Sequence, residues 1–358
     1  MKKESKYFIV LILIMILTSC GTSDNPGFKV KHTALGIMND IVVVCDQDVW
    51  DSIIGDSLDY YYGGAYPITP SPEPIFDLRH FTPKELIDQP LRKELRTYLI
   101  LSDMNSTTSS TTEMVIEDLS KSNISDPLQE KPSMSTIGKD KWAHGQILVY
   151  ILADGFDNLA SAIGEHFSTI STRIRQHDDK QLTQSTYSRG SNSGLSRKVE
   201  DLIGTSIDIP FDYVVAKEVE EENLIWLRKD TKDATLNLIL RKEIYTDQEQ
   251  TSKEHMKALK DDIGRKHISS IENNTYMRVN DKDLPILEYN KDFNGLYAKE
   301  YRGIWEMEND FMGGPYHTWM VVNGDELIYV DGFVWSPGKR KREMLQQLEK
   351  IVSSLNRS

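Results

Sequence analysis

Cysteine is nearly absent: two in 358 residues, Cys20 and Cys45. So sparse a pair excludes a disulfide scaffold, a zinc ribbon and an iron–sulfur site. Histidine is scattered as well. None of the eight stands in an HExxH or HxH spacing, so no metal is expected. Neither GxGxxG nor a Walker loop occurs, which removes the glycine-rich phosphate cradles. Basic charge is in deficit, 42 Lys plus Arg against 55 Asp plus Glu, for a net charge of −13. A surface this acidic repels phosphate backbones, so no nucleic-acid partner is expected. No apolar run reaches the roughly 20 residues that a permanent membrane helix needs.

What is present starts at the amino terminus. Lys2, Lys3 and Lys6 precede an apolar run from Tyr7 to Leu17, and Thr18, Ser19 and Cys20 follow. A basic region, a short apolar core and small residues make a bacterial export signal. Leu17-Thr18-Ser19-Cys20 resembles the lipobox read by lipoprotein signal peptidase, which implies cleavage before Cys20 and acylation of its thiol and new amino group. Several acyl chains anchor a protein stably. The expected organisation is a signal peptide over residues 1–19 and a lipidated tether over 20–34. The tether is polar, with Gly and Pro. Removing the signal takes away three lysines and one glutamate, leaving a charge of −15.

The remaining chain carries the patterning of two folded halves. In the first (35–203), Ile41 to Cys45 is a β-branched run suited to a strand buried on both faces. Asp46 is placed to cap the helix behind it. Leu95–Leu101 and Gln146–Ala153 read as further strands, and Phe156 to Ile174 carries helical spacing. Between those strands, Met104 to Gly138 is rich in Ser and Thr without a sustained period, which predicts a mobile insertion. In the second half (204–358), strands are expected at 211–216, 224–228, 234–244, 298–307, 316–323 and 326–335. Thr251 and Glu254 are spaced as a capping box before a helix, and Asn323-Gly324 suits a hairpin. A last helix carries an apolar stripe from Met344 to Leu355. The fold class is thus α+β / α/β, with the second half a mainly antiparallel α/β/α sandwich.

A proline-rich strap ends in Pro72-Glu73-Pro74-Ile75-Phe76-Asp77. Lys141-Trp142-Ala143-His144-Gly145-Gln146 precedes a strand, and Ile209-Pro210-Phe211-Asp212-Tyr213-Val214-Val215-Ala216 enters the second half. With the lipobox, these motifs resemble an uncharacterised lipoprotein family of Bacteroidota, the domain of unknown function numbered 4837, over about Leu35 to Leu355. The resemblance implies an envelope lipoprotein and assigns no activity. The strand–helix order of the second half is similar, at fold level only, to PsbP/Mog1-type sandwiches, which mostly bind partners.

No catalytic residue and no cofactor emerge from the motifs. Gly190-Ser191-Asn192-Ser193-Gly194 misses the esterase elbow, and the SxxK match at Ser336–Lys339 is explained by a turn and a helix start. Cys45 sits in an apolar run, where a thiol is inert. Tyr297, Tyr301 and Trp305 share a strand side, as do Tyr329, Phe333 and Trp335, and these rows are expected to fill a sheet–helix layer. Asp331 interrupts the second row and needs a partner, a pocket, or a bulge at Gly332. Two surfaces stand out as candidate contacts: the strap at Pro72, Glu73, Pro74, Phe76 and Asp77, and the basic run Lys339-Arg340-Lys341-Arg342. The expectation is a membrane-anchored, periplasm-facing envelope protein on the inner or outer membrane, working with an envelope protein partner as a non-enzymatic binding or assembly factor. The alternative is an envelope hydrolase or glycan-binding protein whose site assembles from distant residues.

Overall fold

The computed structural model describes residues 31–357, except 123, 125, 272 and 273. The signal and the lipid-attachment stretch Leu17, Thr18, Ser19 and Cys20 lie outside the described residues. The first domain runs β1 (Asp40–Val44), α1 (Gln47–Trp50), α2 (Ile53–Tyr61), β2 (Asp77–Phe81), α3 (Pro83–Asp88), β3 (Thr97–Asp103), α4 (Ser110–Lys121), β4 (Ser133–Lys139), β5 (Ile147–Ala153) and α5 (Phe156–Thr186). Its sheet has the order β2-β1-β3-β5-β4, with β4 antiparallel to β5 and the other neighbours parallel. Helices cover both faces, which is why β1, β3 and β5 are almost continuously apolar. Val43, Leu99 and Val149 face α2 and α5. Val42, Tyr98 and Leu148 face α3 and α4.

The structure differs from two local expectations. Asp46 lends no side-chain cap to α1. Its carboxylate instead accepts the hydroxyls of Ser109 and Ser110 across the sheet edge, and Ser52 caps α2. The stretch 104–138 is not a structureless insertion, because it holds α4 and the edge strand β4. Thr111, Thr112, Val115 and Leu119 are buried along one side of α4, behind an N-cap at Ser109. Threonines occupy half of that stripe, so the apolar period is hidden from a hydropathy reading.

The second domain runs α6 (Ser193–Ile203), β6 (Thr205–Ser206), β7 (Val214–Val219), β8 (Leu224–Asp230), β9 (Thr235–Ile244), α7 (Lys253–His267), β10 (Ser269–Ser270), β11 (Thr275–Asn280), β12 (Leu287–Phe293), β13 (Leu296–Glu308), β14 (Gly313–Asn323), β15 (Glu326–Trp335), α8 (Arg342–Val352) and β16 (Asn356–Arg357). The large sheet is antiparallel, in the order β10-β11-β13-β14-β15-β9-β8-β7, and β12 also pairs with β13. Leu236, Leu238 and Leu240 face α6 and α8, while Ile239 faces α7. This is the expected sandwich. Helix α6 packs on the second sheet, so the boundary precedes Asn192 and does not fall at 204. Helix α7 is capped by Ser252, which accepts from His255 N, and Thr251 is buried behind it. The hairpin turn itself is Gly324-Asp325, with Asn323 paired to Glu326.

Candidate ligand cleft between the domains

The joint between the domains is built on α8. Leu345, Leu348, Ile351 and Val352 are buried on its own sheet. A side chain at Gly332 would lie 3.3 Å from Leu348 Cβ, so glycine there lets the helix lie flat. The register of β15 runs through Gly332 without a bulge. Arg342, Gln346, Glu349 and Lys350 fall at i, i+4, i+7 and i+8, the other helical face. That face meets the first domain. Arg342, 2% exposed, donates to the Pro74 carbonyl at 2.5 Å and to Asp77 Oδ2 at 2.9 Å. Gln346 and Asn39 exchange two amide hydrogen bonds of 3.0 Å each. Lys350 meets Asp179 at 2.7 Å. Ahead of the helix, the buried Glu73 carboxylate accepts Lys341 N at 2.7 Å and Arg342 N at 2.9 Å, occupying the free amides and positive end of α8.

The proline strap and the basic run are therefore brought together by the fold. Asp77 takes both Arg340 and Arg342. Burial alone would raise the Asp77 carboxyl, but its bonds to Arg340 and Arg342 outweigh that and hold it below the usual range. Phe76 is buried in the first core, whereas Pro72, Lys339 and Arg340 stay exposed. Lys341 is buried and its ammonium turns back onto the Lys339 carbonyl at 2.6 Å.

Beside this joint opens a cleft of about 390 Å³ between α5, the strap, α8 and the β12–β13 hairpin. Its floor is a charged network. Arg302 lies 2.7 Å from Glu300 Oε1 and 3.0 Å from Glu349 Oε1. The His317 ring sits between the same carboxylates, Nε2 3.0 Å from Glu300 and Nδ1 3.1 Å from Glu349, and stacks on Trp319 at 3.7 Å. Tyr66 of the strap donates to Glu349 at 2.9 Å and accepts from Arg302 at 3.3 Å. Burial would raise both carboxyls. For Glu300 the His317 and Arg302 contacts prevail and hold it far below its ordinary value. For Glu349 the Arg302 charge, His317 and Tyr66 bring it to about 2. Burial raises the carboxyl of Asp178 in the same cleft, whereas Glu300 and Glu349 favour the ionised form. They can orient and neutralise a polar ligand. Exposed Arg175 and half-exposed Lys291 stand at the rim, with Tyr289 beside them.

The partner that Asp331 needs is Lys260 of α7. Both side chains are fully buried, 2.5 Å apart, and Thr318 donates to the second carboxylate oxygen at 2.6 Å. The ammonium lies over the Tyr316 ring at 4.4 Å. Burial pulls the Lys260 ammonium below its usual pKa, against the pull of Asp331. The aromatic rows are core, as expected: Tyr301, Trp305, Tyr329 and Phe333 are buried, although Tyr297 is exposed. Cys45 is fully buried, and burial pushes its thiol up to about 12.

The sequence reading did not single out Tyr66, Glu300, Arg302, His317 or Glu349. One signal existed: Glu300 and Arg302 share a face of a strand whose other face carries Tyr301 and Trp305. Charge at i and i+2 on a buried strand face requires a covering partner, and α8 with the strap supplies it.

Comparison with known proteins adds families without functions. No curated protein matches the chain. The solution structure of cyanobacterial PsbP (CyanoP) from Synechocystis is 9% identical and aligns with 43% of this chain and 87% of its own, at a TM-score of 0.29. A crystal structure from Bacteroides thetaiotaomicron is 12% identical over 43% of this chain and 45% of its own, at a TM-score of 0.24. The family resemblance drawn from the motifs holds for the second half but was drawn too wide. The model of domain of unknown function 4837 matches 192–354, and the strap and the Lys141–Gln146 motif fall within a different family model. The second half is thus similar to the domain of unknown function DUF4837 over residues 192–354, and the first to the domain of unknown function DUF8532 over residues 34–187.

Proposed function

We propose that this chain is a lipid-anchored protein of the bacterial envelope, facing the periplasm, that works as a non-enzymatic binding or assembly factor. Its ligand or partner segment enters the cleft between the two domains. The carrying observation is that cleft: its walls come from both domains, and its floor is a network of paired charges. Pockets at domain interfaces are preferred ligand sites. The anchor rests on the lipobox-like Leu17-Thr18-Ser19-Cys20. Replacing Cys20 by Ala is expected to abolish palmitate labelling and membrane retention while the body stays folded; retained labelling would overturn the anchor. For the cleft, in-cell crosslinking of native protein is expected to capture one envelope partner, and Lys291→Glu at the rim to reduce its yield at least ten-fold. Capture unaffected by Lys291→Glu, or nothing above background, would overturn the cleft assignment.

A second reading, glycan binding, has one observation in its favour. Phe311 stands fully exposed at a groove of about 460 Å³ that also holds Trp335 and Trp305, whose buried indole N–H has no hydrogen-bond partner. Phe311→Ala would remove that platform, and tryptophan fluorescence titrated with chitooligosaccharide measures its effect.

A further inference from the structure

The chain enters the described body at a particular place. Lys31 Nζ donates to the Asp140 carbonyl at 2.5 Å. Ala34 N donates to His144 O at 2.8 Å, and Leu35 N to Glu94 O at 2.7 Å. The entering segment thus lies along the amino ends of β3 and β5, next to Lys141 and Trp142. At this end α3 and α4, with the 3-10 turn Pro90–Glu94 between α3 and β3, border a groove of about 510 Å³. Its wall includes Ile87, which is 69% exposed, and Leu91 in the adjoining turn is 73% exposed. Apolar side chains held that far into water mark a contact surface.

The same groove also carries lysines. Lys84, Lys93, Lys121 and Lys141 collar it. Glu117 engages Lys121, and Asp118 engages Lys141, whose ammonium also lies 4.4 Å over the Trp142 ring. Glu113 is the third carboxylate of the wall. Lys84 and Lys93 carry no ion pair among the described residues. Four lysines against three carboxylates leave this wall close to neutral, so in a molecule of net charge −13 an anionic surface repels it less than a uniformly acidic face.

We propose that this groove rests on an anionic lipid bilayer, with Ile87 and Leu91 in the headgroup layer and Lys84 and Lys93 against lipid phosphates. The inference rests on the anchor reading: Cys20 ties the chain to a membrane, and Lys31 lies eleven positions after it. Even fully extended, that stretch reaches only about 40 Å. The point where the chain meets the body is therefore never far from the bilayer, and the groove beside it is held at high effective concentration. Weak contacts suffice under such a tether.

The test uses two forms of the protein. Lipidated protein in phosphatidylglycerol-containing vesicles is treated with an amine-reactive probe and read by mass spectrometry. Lys84 and Lys93 are expected to be protected at least five-fold relative to the soluble Cys20→Ala form, and exposed Lys282 not at all. Equal labelling of all three would overturn the proposal. The soluble form is also sedimented with phosphatidylglycerol or phosphatidylcholine vesicles. Each of Lys84→Glu and Lys93→Glu is expected to cut partition onto the anionic vesicles about five-fold or more. Equal partition onto both vesicle types would count against the surface. Palmitate labelling separates the two ideas. A labelled protein without lysine protection overturns the surface alone, and an unlabelled protein that still partitions overturns the anchor alone.

Discussion

A buried charge is only as good as its partner, and Lys260–Asp331 illustrates the asymmetry. Replacing Lys260 by Met would strand a fully buried carboxylate, at a cost of about 3–5 kcal/mol. The double variant Lys260→Met, Asp331→Leu is expected to recover most of that loss. Denaturant midpoints of the four proteins in the cycle measure the coupling. Glu349 gives a pH signature. Its ordinary pKa of 4.5 falls to about 2 in the fold. The folded state thus binds this proton less readily than the unfolded chain, so the stabilisation is complete above about pH 4.5. It drains away as the pH falls toward 2. Urea unfolding between those limits is expected to show a shallower loss in Glu349→Gln than in the parent.

Among the elements, α8 depends on residues far from it in sequence. Glu73 serves as its N-terminal anion, and Glu73→Ala is expected to destabilise the protein by about 0.5–2 kcal/mol in chemical denaturation. The apolar stripe of α8 was legible because Leu345, Leu348 and Ile351 repeat at helical spacing. Its polar stripe was not, since Arg342, Gln346 and Glu349 look like an ordinary solvated face until the first domain is in place. Helix α4 went unread for a different reason. Thr111 and Thr112 bury their methyl groups where a pattern search looks for Leu or Ile. Its backbone should behave as structured: amides of residues 115–119 are expected to exchange with solvent far more slowly than an unstructured segment of that composition. The anti-aligned sheet was readable in outline, because strand alternation survives in β9, β13 and β15. The cleft was not, because its members come from 66, 300, 302, 317 and 349.

For the whole molecule, the joint decides whether the two halves behave as one body. Its contacts along α8 are polar, Arg342 to the strap, Gln346 to Asn39 and Lys350 to Asp179, while Tyr66 of the strap is buried in the second core. An interface with so many polar contacts depends on their geometry, so removing its bonds should uncouple the halves. Wild-type protein is expected to unfold in one transition, and Arg342→Ala with Gln346→Ala in two, seen by calorimetry. A single unshifted transition in the double variant would show that the domains do not depend on these contacts.

The reciprocal amide pair joins residues 307 apart in the chain. Synthesis proceeds from Asn39 toward Gln346, so the first domain can complete its own core while its half of the joint still lacks a mate. The joint closes only when the last helix arrives, and that helix is also one layer of the second core. A ribosome that stops near residue 340 therefore releases a chain with one finished domain, one unfinished domain and an unoccupied docking face. Closure of the joint thus reports, within the molecule itself, that translation reached α8.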